Sequence, residues 1–231
     1  MTKAIFIAGT GTDVGKTYIS ALIVKKLREA GINAGYYKAA LSGACEENGD
    51  LIPGDAERVC RLGGIEGNPS AFVSYIYRAA VSPHLASHLE DRSVELSVVK
   101  KDFAAACAKY DYLLMEGSGG IACPLRWDSK VKQLSSDLVK ALGLSSIIVG
   151  DSGLGAINSF YLTTEYMRRE KLPCSGIILN RWQSGSLLYE DNRKMLEELT
   201  ELPVLAVTAE GATELDTALA SLTAAFREVK E

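Results

Sequence analysis

The stretch of the chain best suited to chemistry is Gly9-Thr10-Gly11-Thr12-Asp13-Val14-Gly15-Lys16-Thr17, between the apolar run Ile5-Phe6-Ile7 and a segment of helical period. Strand, glycine-rich turn and helix, in that order, is the context that phosphate binding needs. Glycines let the backbone amides turn inward, a helix amino terminus attracts anions, and a lysine reaches the outer phosphates. The segment Thr12, Asp13, Val14, Gly15, Lys16, Thr17 and Tyr18 is therefore expected around ATP, with the Thr17 hydroxyl on Mg²⁺. The spacing is irregular. The pattern Gly-x4-Gly-Lys-Thr would start at residue 10, which is Thr10, and Gly9 stands one place early. The bland alternative is a glycine turn that merely packs.

A magnesium ion between phosphates takes one or two carboxylates, with phosphate and water completing its octahedron. Asp111-Tyr112-Leu113-Leu114-Met115-Glu116 is an apolar strand ending in an acid, and Gly117-Ser118-Gly119-Gly120 follows it. Parallel sheets bind ligands beyond the carboxyl ends of their strands, so Glu116 reads as a metal ligand or water positioner. Asp55, after Pro53-Gly54, reads equally as a helix N-cap or a ligand. Asp151, after Ile147-Ile148-Val149, is a further candidate with the same ambiguity. Lys38 is expected to end the second strand, where it would neutralise charge developing on a phosphoryl group; by itself it reads as an exposed lysine. His84 and His88 have zinc spacing, but a helix with Ser82 as N-cap and Pro83 in its first turn accounts for them better. Gly153-Leu154-Gly155-Ala156-Ile157-Asn158 opens a helix after a strand and offers either a second anion-binding terminus or tight packing.

The elements that must hold these groups alternate. Apolar runs at Ala4–Ala8, Asn33–Tyr37, Tyr112–Met115, Ser146–Val149, Gly176–Leu179 and Val204–Val207 are separated by segments of helical period. Those segments predict helices near 16–30, 94–109, 131–142, 156–170, 187–200 and 212–229. Strand and helix in repetition predict one α/β domain over 1–231, a doubly wound, mostly parallel sheet with helices on both faces, of P-loop NTPase type. The stretch Leu41 to Asp91 is rich in Gly, Pro and Asp, resists assignment to strands, and has the character of site loops.

Of the 231 residues, 47% are apolar and 23% charged, and the net charge of -4 provides no basic field for nucleic acid. Five cysteines without a Cys-x-x-Cys pair predict reduced, buried thiols rather than disulfides or a zinc site. The apolar run after Met1-Thr2-Lys3 is too short for a signal peptide or a membrane span, so a cytoplasmic protein is expected.

Taken together, these landmarks resemble one family, the dethiobiotin synthetases, a biotin-pathway branch of the MinD-like P-loop group. The resemblance rests on residues 9–17 with the early Gly9, Tyr37-Lys38, Ser42-Gly43, Asp55, Ser82-Pro83-His84, Glu116 to Gly120, Leu154 to Asn158, and Asn180 after a strand. It implies that ATP, CO₂ and 7,8-diaminononanoate give dethiobiotin, ADP and phosphate. It implies Lys16 and Lys38 as catalytic cations, and Thr17, Asp55 and Glu116 as Mg²⁺ ligands. Gly117, Ser118 and Gly119 would join the ATP site, and Asn180 would hydrogen-bond the adenine. Thr12 and Ser42 would contact substrate, and Gly155, Ala156, Ile157 and Asn158 would take the substrate carboxylate from across a homodimer interface. Asp151 has no role in that pattern.

The chain departs from the family at Ala39, where a proline is usual, at Ser159, where a histidine is usual, and at 204–210, which lacks a base-cradling Gly and Pro. Two other readings are a cobyrinate-type amide synthetase domain and a nucleotide switch. The partition ATPases carry an extra lysine five places before the loop lysine; here that residue is Gly11.

Overall fold

The computed structural model describes residues 1–229, so the last two positions of the expected 1–231 domain lie outside the described residues. The first half of the chain comprises β1 (Lys3–Gly9), α1 (Lys16–Glu29), β2 (Ala34–Ser42), β3 (Cys45–Glu47), β4 (Asp50–Ile52), α2 (Gly54–Gly63), β5 (Val73–Tyr77), α3 (Pro83–Leu89) and α4 (Leu96–Cys107). The second half comprises β6 (Tyr112–Glu116), β7 (Pro124–Trp127), β8 (Lys132–Leu134), α5 (Ser135–Leu142), β9 (Ser146–Asp151), α6 (Ala156–Arg169), β10 (Cys174–Asn180), α7 (Leu187–Thr200), β11 (Val204–Thr208), α8 (Leu219–Ala225) and β12 (Arg227–Glu228).

Seven strands form a parallel sheet in the order β11-β10-β9-β1-β6-β2-β5, and β12 adds antiparallel to β1 at Lys3 and Ala4. Side chains alternate across a strand, so β1 feeds two cores. Ile5 and Ile7 pack with Ile19 and Leu22 of α1, Val59 of α2 and Leu222 of α8. Phe6 and Ala8 pack on the other face with Phe103 of α4, Val139 of α5, Phe160 of α6 and Leu196 of α7. A sheet covered on both faces explains why its strands read as continuous apolar runs.

Four sequence expectations need correction. Strand β2 does not stop at Lys38 but runs to Ser42, because Ala40, Leu41 and Ser42 pair with β5. Strand β5 lies in the stretch that resisted assignment; Val73-Ser74-Tyr75-Ile76-Tyr77 alternates in burial, as an edge strand does. The helix expected from 131 starts at Ser135, since residues 132–134 close a hairpin with β7. The helix expected over 212–229 shrinks to α8, because the chain leaves the helix at Phe226, which is buried against Tyr112, and pairs with β1. The helical reading of 82–89 matches α3, with Ser82 at its N-cap position.

Candidate functional site

The carboxyl ends of β1, β2, β6 and β10 open into a cavity of about 1010 Å³. Its floor is the loop between β1 and α1, where Asp13 (φ 58°) and Gly15 (φ 94°) adopt left-handed conformations. The early glycine has a steric reason. A Cβ on Gly9 would lie 2.8 Å from the Gly11 carbonyl oxygen and 2.9 Å from Lys16 Nζ, so the lysine side chain passes over a position that has room only for hydrogen. Lys16 is buried, its Nζ donates to the Gly11 carbonyl at 2.9 Å, and burial lowers its pKa against the opposing pull of Glu116.

Across from the loop, Lys38 is 4% exposed, which removes the reading of an ordinary surface lysine. Parallel pairing sets it beside Glu116 on β6. Its Nζ lies 2.7 Å from Glu116 Oε1 and 2.5 Å from Asp55 Oδ2. Burial alone would lower the Lys38 pKa, but Glu116 and Asp55 more than reverse this, and it ends raised. Asp55 likewise loses to burial and regains from Lys38, which leaves it below the ordinary carboxylate value. Asp55 is not an N-cap: α2 begins at Gly54 with Pro53 at the cap position, and the Asp55 side chain turns to Lys38 and Thr17.

Thr17 Oγ1 is 3.0 Å from Asp55 Oδ1 and 2.9 Å from Glu116 Oε1; with one proton it donates to one of them at a time. A hydroxyl and two carboxylates thus converge as hard oxygen donors. Among the described residues no group of three or more His, Cys, Asp or Glu gathers as a metal cluster. Such donors make up part of an oxygen shell of the kind that suits Mg²⁺, which phosphate and water would complete.

Sequence reading missed Tyr36. It is fully buried and its hydroxyl donates to Glu116 Oε2 at 3.0 Å, so the carboxylate is held at both oxygens. Burial, with Glu116 beside it, pushes the Tyr36 phenol well above its usual pKa and keeps it a donor. The signal was available, since Tyr36 and Lys38 are two apart on one strand and share a face. Arg58, one turn beyond Asp55 on α2, also lines the cavity, as do Cys123, Arg181, Glu210 and Gly211.

Of the expected contacts, Thr12, Asp13, Gly15, Lys16, Thr17, Tyr18, Ser42, Asp55, Glu116, Ser118, Gly119 and Asn180 line this cavity. Val14 and Gly117 do not. Gly117 is a packing glycine, since a Cβ there would meet the Phe6 ring at 2.7 Å. Asn180 Nδ2 donates to the Val14 carbonyl at 3.0 Å, so it braces the loop while lining the cavity. Gly155, Ala156, Ile157 and Asn158 lie outside the cavity, at the start of α6 beside Leu154, which is 90% exposed. Asp151 pairs with Arg181 rather than with Thr17, Lys38 or Glu116. The segment after β11 reaches the cavity through Glu210 and Gly211, and the Tyr18 hydroxyl donates to the Ala212 carbonyl to hold it there.

A phosphate loop after the first strand of a parallel sheet, with a lysine and an acid on neighbouring strands, defines a P-loop ATPase. A family profile described as an AAA domain matches residues 3–209. Solved structures of similar fold include the septum site-determining protein MinD complexed with Mg-ADP from Pyrococcus horikoshii (TM-score 0.56, 19% identity, covering 91% of this chain and 82% of that one). A ParA family ATPase from Chlorobium tepidum is also similar (TM-score 0.53, 16% identity, covering 90% of this chain and 83% of that one).

Sequence relatives narrow the class. An ATP-dependent dethiobiotin synthetase of Clostridium botulinum is 49% identical over 88% of this chain and 89% of its own length. That of Brachyspira hyodysenteriae is 44% identical over 94% and 96%. A second Clostridium botulinum relative of the same name is 42% identical over 99% of this chain and its own full length. The chain belongs to the ATP-dependent dethiobiotin synthetase family, and the amide-synthetase and switch readings are set aside. Among the described residues no helix is long and apolar enough to cross a membrane.

Proposed function

We propose that the cavity joins ATP, CO₂ and 7,8-diaminononanoate into dethiobiotin, with Lys38 as the cation on the reacting groups. One substrate amine adds to CO₂ and loses a proton, giving a carbamate. A carbamate oxygen then attacks the γ-phosphorus, and ADP leaves. The second amine attacks the carbonyl of the mixed anhydride, phosphate leaves, and the ureido ring closes. Positioning and charge neutralisation carry such phosphoryl transfer. Lys16 would hold the outer phosphates, and Lys38 would stabilise charge on the carbamate and the transferring group.

The observation that carries this reading is Lys38 held between Asp55 and Glu116 beside the phosphate loop. Thr17, Asp55 and Glu116 are the residues that would hold Mg²⁺, which when bound would neutralise phosphate charge. Thr12 and Ser42, on the cavity wall, would meet the diamine. The adenine would lie toward Asn180 and the chain after β11, whose residues 204–210 lack the Gly and Pro usual in the family. The α6 start at Gly155–Asn158, away from the chain's own cavity, suits a role in a second copy's site, so the working unit would be a homodimer formed from single-domain subunits in the cytoplasm.

Incubation with the diamine, labelled bicarbonate and ATP tests the reading. Label is expected in a ring that survives acid, with one ADP formed per ring. ADP release without incorporation at saturating diamine would reject the substrate assignment. Parallel assays with other nucleoside triphosphates test adenine, and sedimentation across a concentration series tests the dimer.

A further inference from the structure

Two adjacent residues at the end of β10 grip two adjacent carbonyls of the phosphate loop. Asn180 Nδ2 donates to the Val14 carbonyl at 3.0 Å, and Arg181 Nη2 donates to the Asp13 carbonyl at 2.9 Å. The other arm of the guanidinium, Nη1, is 2.5 Å from Asp151 Oδ1. Asn180 and Asp151 are register partners on β10 and β9, so Arg181 reaches back across the strand ends to find that carboxylate. Arg181 (φ 55°) and Asp13 (φ 58°) are both non-glycine residues in the left-handed region. Such conformations persist where the surroundings over-determine them.

In a trans peptide the carbonyl and the following amide point in opposite directions. Fixing the Asp13 and Val14 carbonyls toward β10 therefore aims the Val14 and Gly15 amides away from it, as donors to an anion seated in the loop. We propose that Arg181, oriented by Asp151, is a positioning residue that presets the phosphate loop for the polyphosphate of the nucleotide. This rests on the reading that the loop binds nucleotide phosphates. The pair does little for stability. Arg181 and Asp151 side chains are 46% and 47% exposed, and ion pairs so placed are screened by solvent.

The test uses the full chain and its Arg181→Ala, Arg181→Lys and Asp151→Ala variants, with ATP and inorganic tripolyphosphate as probes, each supplied with Mg²⁺. Losing one charge-assisted loop contact should weaken ATP and tripolyphosphate by the same factor, about tenfold. The KM for the diamine and the thermal midpoint should stay unchanged. Arg181→Lys should recover part of the loss, and Asp151→Ala should show a smaller loss in the same direction. Unchanged tripolyphosphate binding in Arg181→Ala overturns the proposal, and weakening of ATP alone would mean a base contact instead. A drop in thermal midpoint with equal losses for phosphate and diamine would mean a merely structural role and also overturns it. Failure of the unaltered chain to bind either probe would instead reject the reading of the loop itself.

Discussion

Lys38 and Glu116 face each other on adjacent parallel strands, 2.7 Å apart and both almost completely buried. The ammonium sits between two carboxylates, Glu116 and Asp55, so removing Lys38 takes away the counter-charge that both share inside the protein.

Lys38→Met is therefore expected to abolish most product formation, by about 10²-fold or more, while ATP binding stays within a few-fold. Single-turnover assays with labelled bicarbonate, set beside equilibrium binding of ATP, read the two effects separately. Equal loss of binding and turnover would show that Lys38 acts on the nucleotide rather than on the reacting groups.

Tyr36→Phe removes the donor to Glu116 Oε2 and leaves a buried lone pair unpaired. A hydrogen bond to a charged group of this kind contributes about 1.5–3 kcal/mol, so urea unfolding should show a loss in that range. The variant should also need more Mg²⁺ for half-maximal activity. Unchanged values for both would mean that Glu116 is held by Lys38 and Thr17 alone.

The glycines of the loop are predicted to differ. Gly11→Ala would place its Cβ no nearer than 3.8 Å to Val14 Cγ1, whereas Gly9→Ala meets the Gly11 carbonyl and the Lys16 side chain. Gly11→Ala should keep ATP affinity within about threefold, since ordinary surface changes cost little. Gly9→Ala should lose nearly all of it. Titration with ATP checks the pair, and equal behaviour would refute the steric account of the early glycine.

The thiols give a pH test. Burial raises the pKa of Cys60, Cys107 and Cys174 to about 11, and the thiolate is the reactive form. Reactivity therefore rises with pH, about tenfold per unit below the pKa, and is minimal near neutrality. Cys45 is exposed on the β3–β4 hairpin, contrary to the buried thiol expected from sequence, and should be alkylated first at pH 7.5, as peptide mass mapping would reveal. Cys123 lines the cavity, so saturating ATP should slow its modification and leave the rate at Cys45 unchanged.

How far this site can be read from sequence depends on the range of each interaction. The phosphate loop is local, and its chemistry is legible in nine consecutive residues. Lys38 and Asp55 are not legible alone. Their meaning comes from a strand pairing that sets residue 38 beside residue 116 and a helix that brings residue 55 to the same point. Family resemblance supplied what local reasoning left open. Strand β5 was hidden because an edge strand with alternating burial lacks the continuous apolar run that marks its neighbours. Arg181 and Asp151 were beyond reach because their link depends on register between β9 and β10. Resemblance offered no role for Asp151, and the structure supplies a partner for it.

The grouping of Lys16 and Lys38 with Asp55 and Glu116 has an electrostatic consequence. Lys38 bonds both acids directly, and Lys16 feels both. Two cations and two anions cancel, so the group casts little net field toward a lone metal ion or a lone triphosphate. A free cation would have to compete with Lys38 for the carboxylates, and a free polyanion would have to draw Lys38 away from them and Lys16 from the Gly11 carbonyl. A ligand carrying both charges at once lets each side chain exchange one partner for another without passing through an uncompensated state. On the proposed reading, the cation and the nucleotide would then arrive together, as a preformed chelate.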